Sequence, residues 1–186
     1  MSDMPAPEIP QHLVARLNSS WIAVRIAEQT LELRRGDELL QSWPISSALA
    51  GLGSRDGSLR TPVGWHSVSE KIGDGAPLGM RFIGRVPSGQ IVLPESAGEL
   101  AGEDLILTRI LWLTGEQPGL NQGPGIDSKS RYIYIHGTHE ERLLGAPASA
   151  GCIRMAGNAV IELFERVAAG AAVLIDPAGT RVEAGS

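Results

Sequence analysis

Cysteine is almost missing from this chain. Cys152 is the only one in 186 residues. No intrachain disulfide can form, which excludes a disulfide-stapled secreted scaffold and suits a reducing compartment. Aromatics are sparse, at 4%. Apolar runs such as 110–113 fall far short of the roughly 20 residues a bilayer-spanning helix needs, so no membrane span is expected. No cluster of Lys and Arg offers a footprint for nucleic acid, and the net charge is -5. Nucleic acid is therefore not an expected partner. The opening segment MSDMPAPEIPQHLVARL has no basic stretch followed by an apolar one, and prolines interrupt it. It does not read as a signal peptide. A cytoplasmic location is the expectation, or a periplasmic one if a leader has been trimmed.

What is present describes a folded globular protein. Apolar residues make up 42% and charged residues 20%, and the length suits one domain with a real core. With 23 Gly and 12 Pro, many short elements joined by turns are expected, hence a mainly β fold. Residues 1–16 read as a loose, proline-rich lead, 17–178 as the domain and 179–186 as a tail.

Alternating patterns predict a meander of strands at 21–27, 29–34 and 38–45, then a loop at 48–60 and a strand at 65–69. Segments 80–85 and 90–93 suit a hairpin across Pro87-Ser88-Gly89. The apolar run 105–113 fits a buried strand, with a helix as the rival reading. A long loop at 115–130 could wall or cover a site. A strand at 131–135 runs into His136, with Ile133 and Ile135 on one face and Tyr132, Tyr134 and His136 on the other. The clearest helix is 158–168, where Val160, Leu163, Phe164 and Val167 make one stripe. Asn158 is its candidate N-cap, and Gly170 lies just past its end. A last strand covers 172–175.

The chemistry concentrates in residues 132–155, YIYIHGTHEERLLGAPASAGCIRM. The stretch holds Cys152 and two of the four histidines, His136 and His139. A cysteine nucleophile needs a raised thiolate fraction, a nearby base and donors for an oxyanion. Small residues around Cys152 let a substrate approach, and a turn is expected to deliver the thiol to the start of a helix. The amides of Gly151 and Cys152 are candidate oxyanion donors. His136 is the candidate base, with the Gly137 carbonyl orienting its ring. Arg154 is a candidate for a substrate carboxylate, and its charge would favour the thiolate. Blander readings stand beside these. A lone cysteine in a small-residue turn is commonly inert. His136 and His139 could pair on a metal, but no third ligand is evident. Arg154 could pair with Glu162 or Glu165. Tyr132, Tyr134 and Trp65 could line a groove or simply pack.

Taken together, the stretch resembles the catalytic signature of the L,D-transpeptidase (YkuD-like) domain. That signature appears as His136-Gly137-Thr138, then Ser149-Ala150-Gly151-Cys152-Ile153-Arg154-Met155, with sixteen positions from His136 to Cys152. Upstream, Pro44-Ile45-Ser46 and Thr61-Pro62-Val63-Gly64 look like the family's strand-and-TPxG segment. The resemblance covers roughly residues 20–176. It implies a β-sandwich-like fold with one or two short helices, Cys152 as nucleophile and His136 as base. Arg154, Ser149, Tyr134 and Thr138 fall where substrate contacts are expected. The implied partners are peptidoglycan stem peptides or muropeptides, with no cofactor and no metal. The implied reaction is attack on the L-centre carbonyl of the third-position diamino acid, releasing D-alanine to an amine or to water. The family commonly carries a histidine just before Gly-Cys. Here that position is Ala150, which removes a donor from the pocket wall. Retention of the fold as a non-catalytic muropeptide-binding module is the alternative from another class.

Overall fold

The computed structural model describes residues 7–178. The first six residues of the lead and the tail at 179–186 lie outside the described residues. Ten strands and two short α-helices make up the body, with a few 3-10 turns. The strands are β1 (Ser20–Arg25), β2 (Thr30–Arg35), β3 (Glu38–Pro44), β4 (Gly64–Ile72) and β5 (Met80–Ile83). They continue with β6 (Val86–Ile91), β7 (Ile106–Gly115), β8 (Tyr134–Thr138), β9 (Ile153–Ala156) and β10 (Ala172–Asp176). Helix α1 is Gln11–Val14 and α2 is Gly157–Arg166.

The mainly β expectation holds. The strands form one curled sheet in the order β3-β2-β1-β10-β4-β7-β5-β6, with β8 paired to β7 and β9 paired to β8. Most neighbours are antiparallel, as the hairpin turns require. Two pairs are parallel: β1 with β10, and β8 with β9. The second of these carries the site.

The main core lies inside the curl. Ile22, Val24, Leu31, Leu33, Leu111, Leu113, Ile135 and Ile153 meet the stripe of α2 there. That stripe is Val160, Leu163 and Phe164, as its periodicity indicates, with Val167 just beyond. The other face of β1 is also covered. Trp21 and Ala23 pack with Trp65, Leu174, Leu13 and Leu17. The lead is therefore not loose from Gln11 onward: α1 and a following 3-10 turn (Ala15–Asn18) bury Leu13 and Leu17 on the sheet.

Several local expectations change. The run 105–113 is strand β7, because both of its faces find cover in the curled sheet. The hairpin turns at Gly84-Arg85 rather than at Pro87-Ser88-Gly89, which lie within β6. Gly84 and Arg85 have φ of 55° and 66°, the left-handed pair a two-residue hairpin turn requires. Strand β8 starts at Tyr134, since Tyr132 has φ 56° and breaks the extended run. Asn158 is not an N-cap: α2 begins one residue earlier, and Ala156 precedes it without a side-chain cap.

Candidate active site

Cys152 sits at the mouth of β9, not at a helix start; α2 begins only after that strand. Strand β9 runs parallel to β8, with Ile135 opposite Ile153 and His136 opposite Arg154. Side chains two apart on a strand share a face. Tyr134 and His136 on β8 therefore face the same way as Cys152 and Arg154. From strand spacing and rise, the Cα atoms of His136 and Cys152 are about 8 Å apart. An imidazole and a thiol can close that gap.

His136 is buried, and its Nδ1 lies 2.8 Å from the Gly137 carbonyl oxygen. A carbonyl only accepts, so Nδ1 carries the proton and Nε2 keeps its lone pair. Burial is the largest influence on this ring and lowers its pKa below 6.5; Asp104 and Gly137 push it up, and Arg154 pushes it down. The imidazole is thus neutral at neutral pH, as a base must be.

The thiol is a different matter. Burial raises the Cys152 pKa to about 12, despite lowering by the Tyr134 amide, Arg154 and Arg131. Asp104 adds to the rise. Cys152 is only half-buried, so water tempers the desolvation that dominates this shift. The direction still runs against a raised thiolate fraction: Arg154 favours the anion, as expected, but does not outweigh burial. A neutral thiol beside a neutral imidazole needs proton transfer during attack. The Tyr134 N–H donates to Sγ at 3.3 Å, and Sγ–H reaches the Tyr132 carbonyl at 3.4 Å.

The turn before the cysteine is braced. The Ser149 hydroxyl donates to the Cys152 carbonyl at 2.6 Å and accepts from the Gly151 N–H at 3.2 Å. Of the two expected oxyanion donors, Gly151 is thus already engaged. The Cys152 N–H makes no hydrogen bond among the described residues and remains the uncommitted donor. Gly151 has φ 133°, a conformation that favours glycine. Its carbonyl accepts from the Thr61 hydroxyl at 2.9 Å, which in turn accepts from the Ala48 N–H at 2.9 Å. The Thr61-Pro62-Val63-Gly64 segment therefore clamps the turn before Cys152.

Other expected contacts are committed elsewhere. Arg154 is ion-paired to Asp104 at 2.8 Å and lies 3.6 Å from Glu140. It pairs with neither Glu162 nor Glu165, and its side chain is 6% exposed. Within the site Arg154 is engaged by the Asp104 and Glu140 carboxylates. The Thr138 hydroxyl accepts from the Glu140 N–H, and Ser149 is taken up by the turn. The His139 Nε2 contacts the Leu100 carbonyl at 3.1 Å. Among the described residues, no group of three His, Cys, Asp or Glu could hold a metal. The 115–130 segment is a knot rather than a lid: Asn121 donates to the carbonyls of Val63 and Trp65. Trp65 is fully buried in the outer cluster and lines no groove.

A cavity of about 310 Å³ adjoins the turn, lined in part by Leu49, Leu59, Asp104, Ser149, Ala150 and Arg154. Sequence reasoning missed Asp104, Glu140 and Arg131, and it named Thr61 only as part of the TPxG segment. Arg131 donates to the Arg60 carbonyl at 2.8 Å and lies close enough to lower the thiol pKa. Glu140 lies inside the signature stretch and Arg131 directly before it, but neither has a residue type or spacing that marks a role. Asp104 alone carried a faint signal, as an acidic residue just before the apolar run.

This is a mainly β domain whose site sets a thiol and an imidazole on adjacent parallel strands. The chain belongs to the L,D-transpeptidase catalytic domain (YkuD) family, whose model matches residues 19–175. A 54-residue stretch is 43% identical to YqjB of Bacillus subtilis (strain 168), a candidate L,D-transpeptidase. That match covers 27% of this chain and 31% of YqjB. Solved structures share the fold. The structure of LdtMt1 in complex with imipenem is 17% identical with a TM-score of 0.51, covering 85% of this chain and 59% of that one. An L,D-transpeptidase from Mycobacterium tuberculosis H37Rv is 15% identical with a TM-score of 0.51, covering 85% and 57%. The chain thus spans just under three fifths of these solved chains and about a third of YqjB.

Proposed function

We propose that the protein is a cysteine acyltransferase acting on peptidoglycan stem peptides, and that water is its principal acceptor. Cys152 is the nucleophile and His136 the base. As Sγ attacks the L-centre carbonyl of the third-position diamino acid, its proton passes to His136 Nε2. The Cys152 N–H, the one uncommitted amide of the turn, faces the oxyanion. Collapse breaks the amide bond, and the His136 imidazolium protonates the departing amine of D-alanine. Water then attacks the thioester, its proton going to His136, and the tripeptide acid leaves with the thiol restored. No step needs a cofactor.

The observation that carries this reading is the hydrogen bond between His136 Nδ1 and the Gly137 carbonyl. It leaves Nε2 as the basic atom, on the face Cys152 shares. The reading extends to a cytoplasmic L,D-carboxypeptidase that trims tetrapeptides to tripeptides during murein recycling. A second reading, transfer to an amine, draws support from the cavity beside Ala150. The Asp104 carboxylate on its wall suits an incoming ammonium.

Mass spectrometry of a disaccharide-tetrapeptide incubated with the protein, with and without an added D-amino acid, separates these outcomes. Tripeptide formation that disappears in Cys152→Ala supports the carboxypeptidase. Incorporation of the D-amino acid, or dimers, moves the assignment to transpeptidation. An unchanged substrate in every tube counts against both and favours a muropeptide-binding module. Fractionation of native cells that recovers the protein from the periplasm would sink the cytoplasmic reading.

A further inference from the structure

The β5–β6 hairpin brings a third arginine, beside Arg154 and Arg131, to the aromatic cluster against which Cys152 packs. Its turn residue, Arg85, is held at φ 66°, a backbone conformation that side-chain-bearing residues seldom adopt. Beyond Phe82 the hairpin has no pairing to β7, whose partners on β5 are only Arg81 and Phe82. What holds the tip is the arginine itself. Its guanidinium lies 4.5 Å over the Trp112 ring and 5.2 Å over Tyr132, and Nη1 donates to the Tyr134 hydroxyl at 3.0 Å.

That aromatic platform adjoins Cys152. Trp112 and Tyr134 meet edge to face at 5.8 Å, and Cys152 packs against the same cluster. Tyr134 spans the gap: its hydroxyl holds Arg85 while its amide touches Sγ. The cation and the nucleophile are separated by a single tyrosine.

Most of the hydrogen-bond donors of Arg85 are unspent. A guanidinium has five N–H donors, and only one is used here. Among the described residues no carboxylate lies within ion-pair distance of it. Glu70, the carboxylate whose charge reaches it, is bound to Lys129 at 3.2 Å. The other cations at the site are occupied: Arg154 by Asp104 and Glu140, and Arg131 by backbone carbonyls. A planar fork fixed on aromatic rings with free donors is suited to a carboxylate.

We propose that Arg85 is a specificity-determining residue that binds a carboxylate of the stem peptide next to the scissile bond. This rests on the proposed function. A stem tetrapeptide offers two such groups within one residue of the attacked carbonyl. One is the terminal carboxylate of D-alanine. The other is the side-chain carboxylate of a third-position diamino acid that carries one.

The test compares three tetrapeptides: unmodified, amidated at the C-terminus, and amidated on the diamino acid. Each is assayed with the native protein, Arg85→Gln and Arg85→Lys. Amidating the carboxylate that Arg85 holds raises KM about 10- to 100-fold in the native protein, the scale of a lost charge-assisted hydrogen bond. In Arg85→Gln that amidation has no further effect, and Arg85→Lys keeps part of the preference. Which amide is penalised identifies the carboxylate. Equal losses on all three peptides in Arg85→Gln would make the residue a structural latch and overturn the inference, as would equal KM values in the native protein. If the native protein turns over none of the peptides, the functional reading fails separately. Calorimetry of the same peptides with Cys152→Ala then decides Arg85: a preference that Arg85→Gln abolishes sustains it, and equal or absent binding ends it.

Discussion

Cys152 and His136 start from the neutral forms, and this shapes what their chemistry does with pH. The His136 pKa is lowered from 6.5, chiefly by burial. If His136 is the base, kcat/KM rises as the pH climbs through a value below 6.5 and is flat by neutrality. A limb centred above pH 7 would contradict this. The thiol pKa near 12 leaves little thiolate at neutral pH. In His136→Ala, iodoacetamide labelling of Cys152 should therefore climb about tenfold per pH unit from pH 7 to 10, because reaction follows the thiolate fraction. A plateau at pH 8 would show a thiolate already formed. Turnover in the same variant should fall by about 100- to 10,000-fold. The pair itself was legible in the sequence, because the signature is local and the residues lie sixteen apart. Asp104 was not, and Thr61 was marked only by its TPxG segment and not by its bond to Gly151, because the chain brings both in from distant loops.

Strand β7 shows how an element shapes the site. Its ladder with β8 runs Leu107 to Gly137 and then Ile110 to His136, so two residues bulge between these pairs. Within the bulge Thr108 has φ 74°, a strained position for a β-branched residue. A Cβ on Gly137 would meet the Leu107 carbonyl oxygen at 2.7 Å and Thr108 Cβ at 3.1 Å. The bulge thus closes tightly on the glycine whose carbonyl orients His136. Gly137→Ala should destabilise the fold by about 1–3 kcal/mol, the usual scale of overpacking, and lower turnover beyond that loss. Unchanged chemical denaturation and unchanged kcat would mean that the bulge has slack. Bulges leave little trace in a sequence, and β7 read as a buried strand with no sign of its bulge. The β5–β6 turn was misplaced for a related reason: Pro87-Ser88-Gly89 has turn chemistry, but the register puts Gly84 and Arg85 at the corner. The α2 stripe was readable because its period is long and regular.

Across the whole molecule, the mainly β class and nine of the ten described strands followed from composition and alternation, while β9 was missed because its four residues read as the approach to a helix. The sheet order did not follow from composition or alternation. Parallel pairing of β1 with β10 joins residues some 150 positions apart, and no local pattern encodes such a contact. His66 is another such product of the assembled fold. It is fully buried on β4, with Nδ1 3.0 Å from the Gly64 carbonyl and Nε2 2.9 Å from the Ser128 hydroxyl. It ties the 115–130 knot to the sheet. Desolvation is the main cause lowering its pKa from 6.5 to about 4, against upward pulls from Gly64 and Glu116. The folded state therefore refuses a proton that the unfolded chain accepts. Above pH 6.5 both states are neutral and the contribution to stability is complete. It is lost as the pH falls from 6.5 toward 4, where the folded form protonates as well. At 1.36 kcal/mol per pKa unit, the loss is about 3 kcal/mol. His136 adds in the same direction, since burial lowers its pKa too. Urea denaturation from pH 7 to 4.5 should show this slope in the native protein. His66→Gln, which keeps a polar group but does not titrate, should start less stable and lose less across the window. Identical slopes in the two proteins would mean that the acid sensitivity of the fold lies elsewhere than in this histidine.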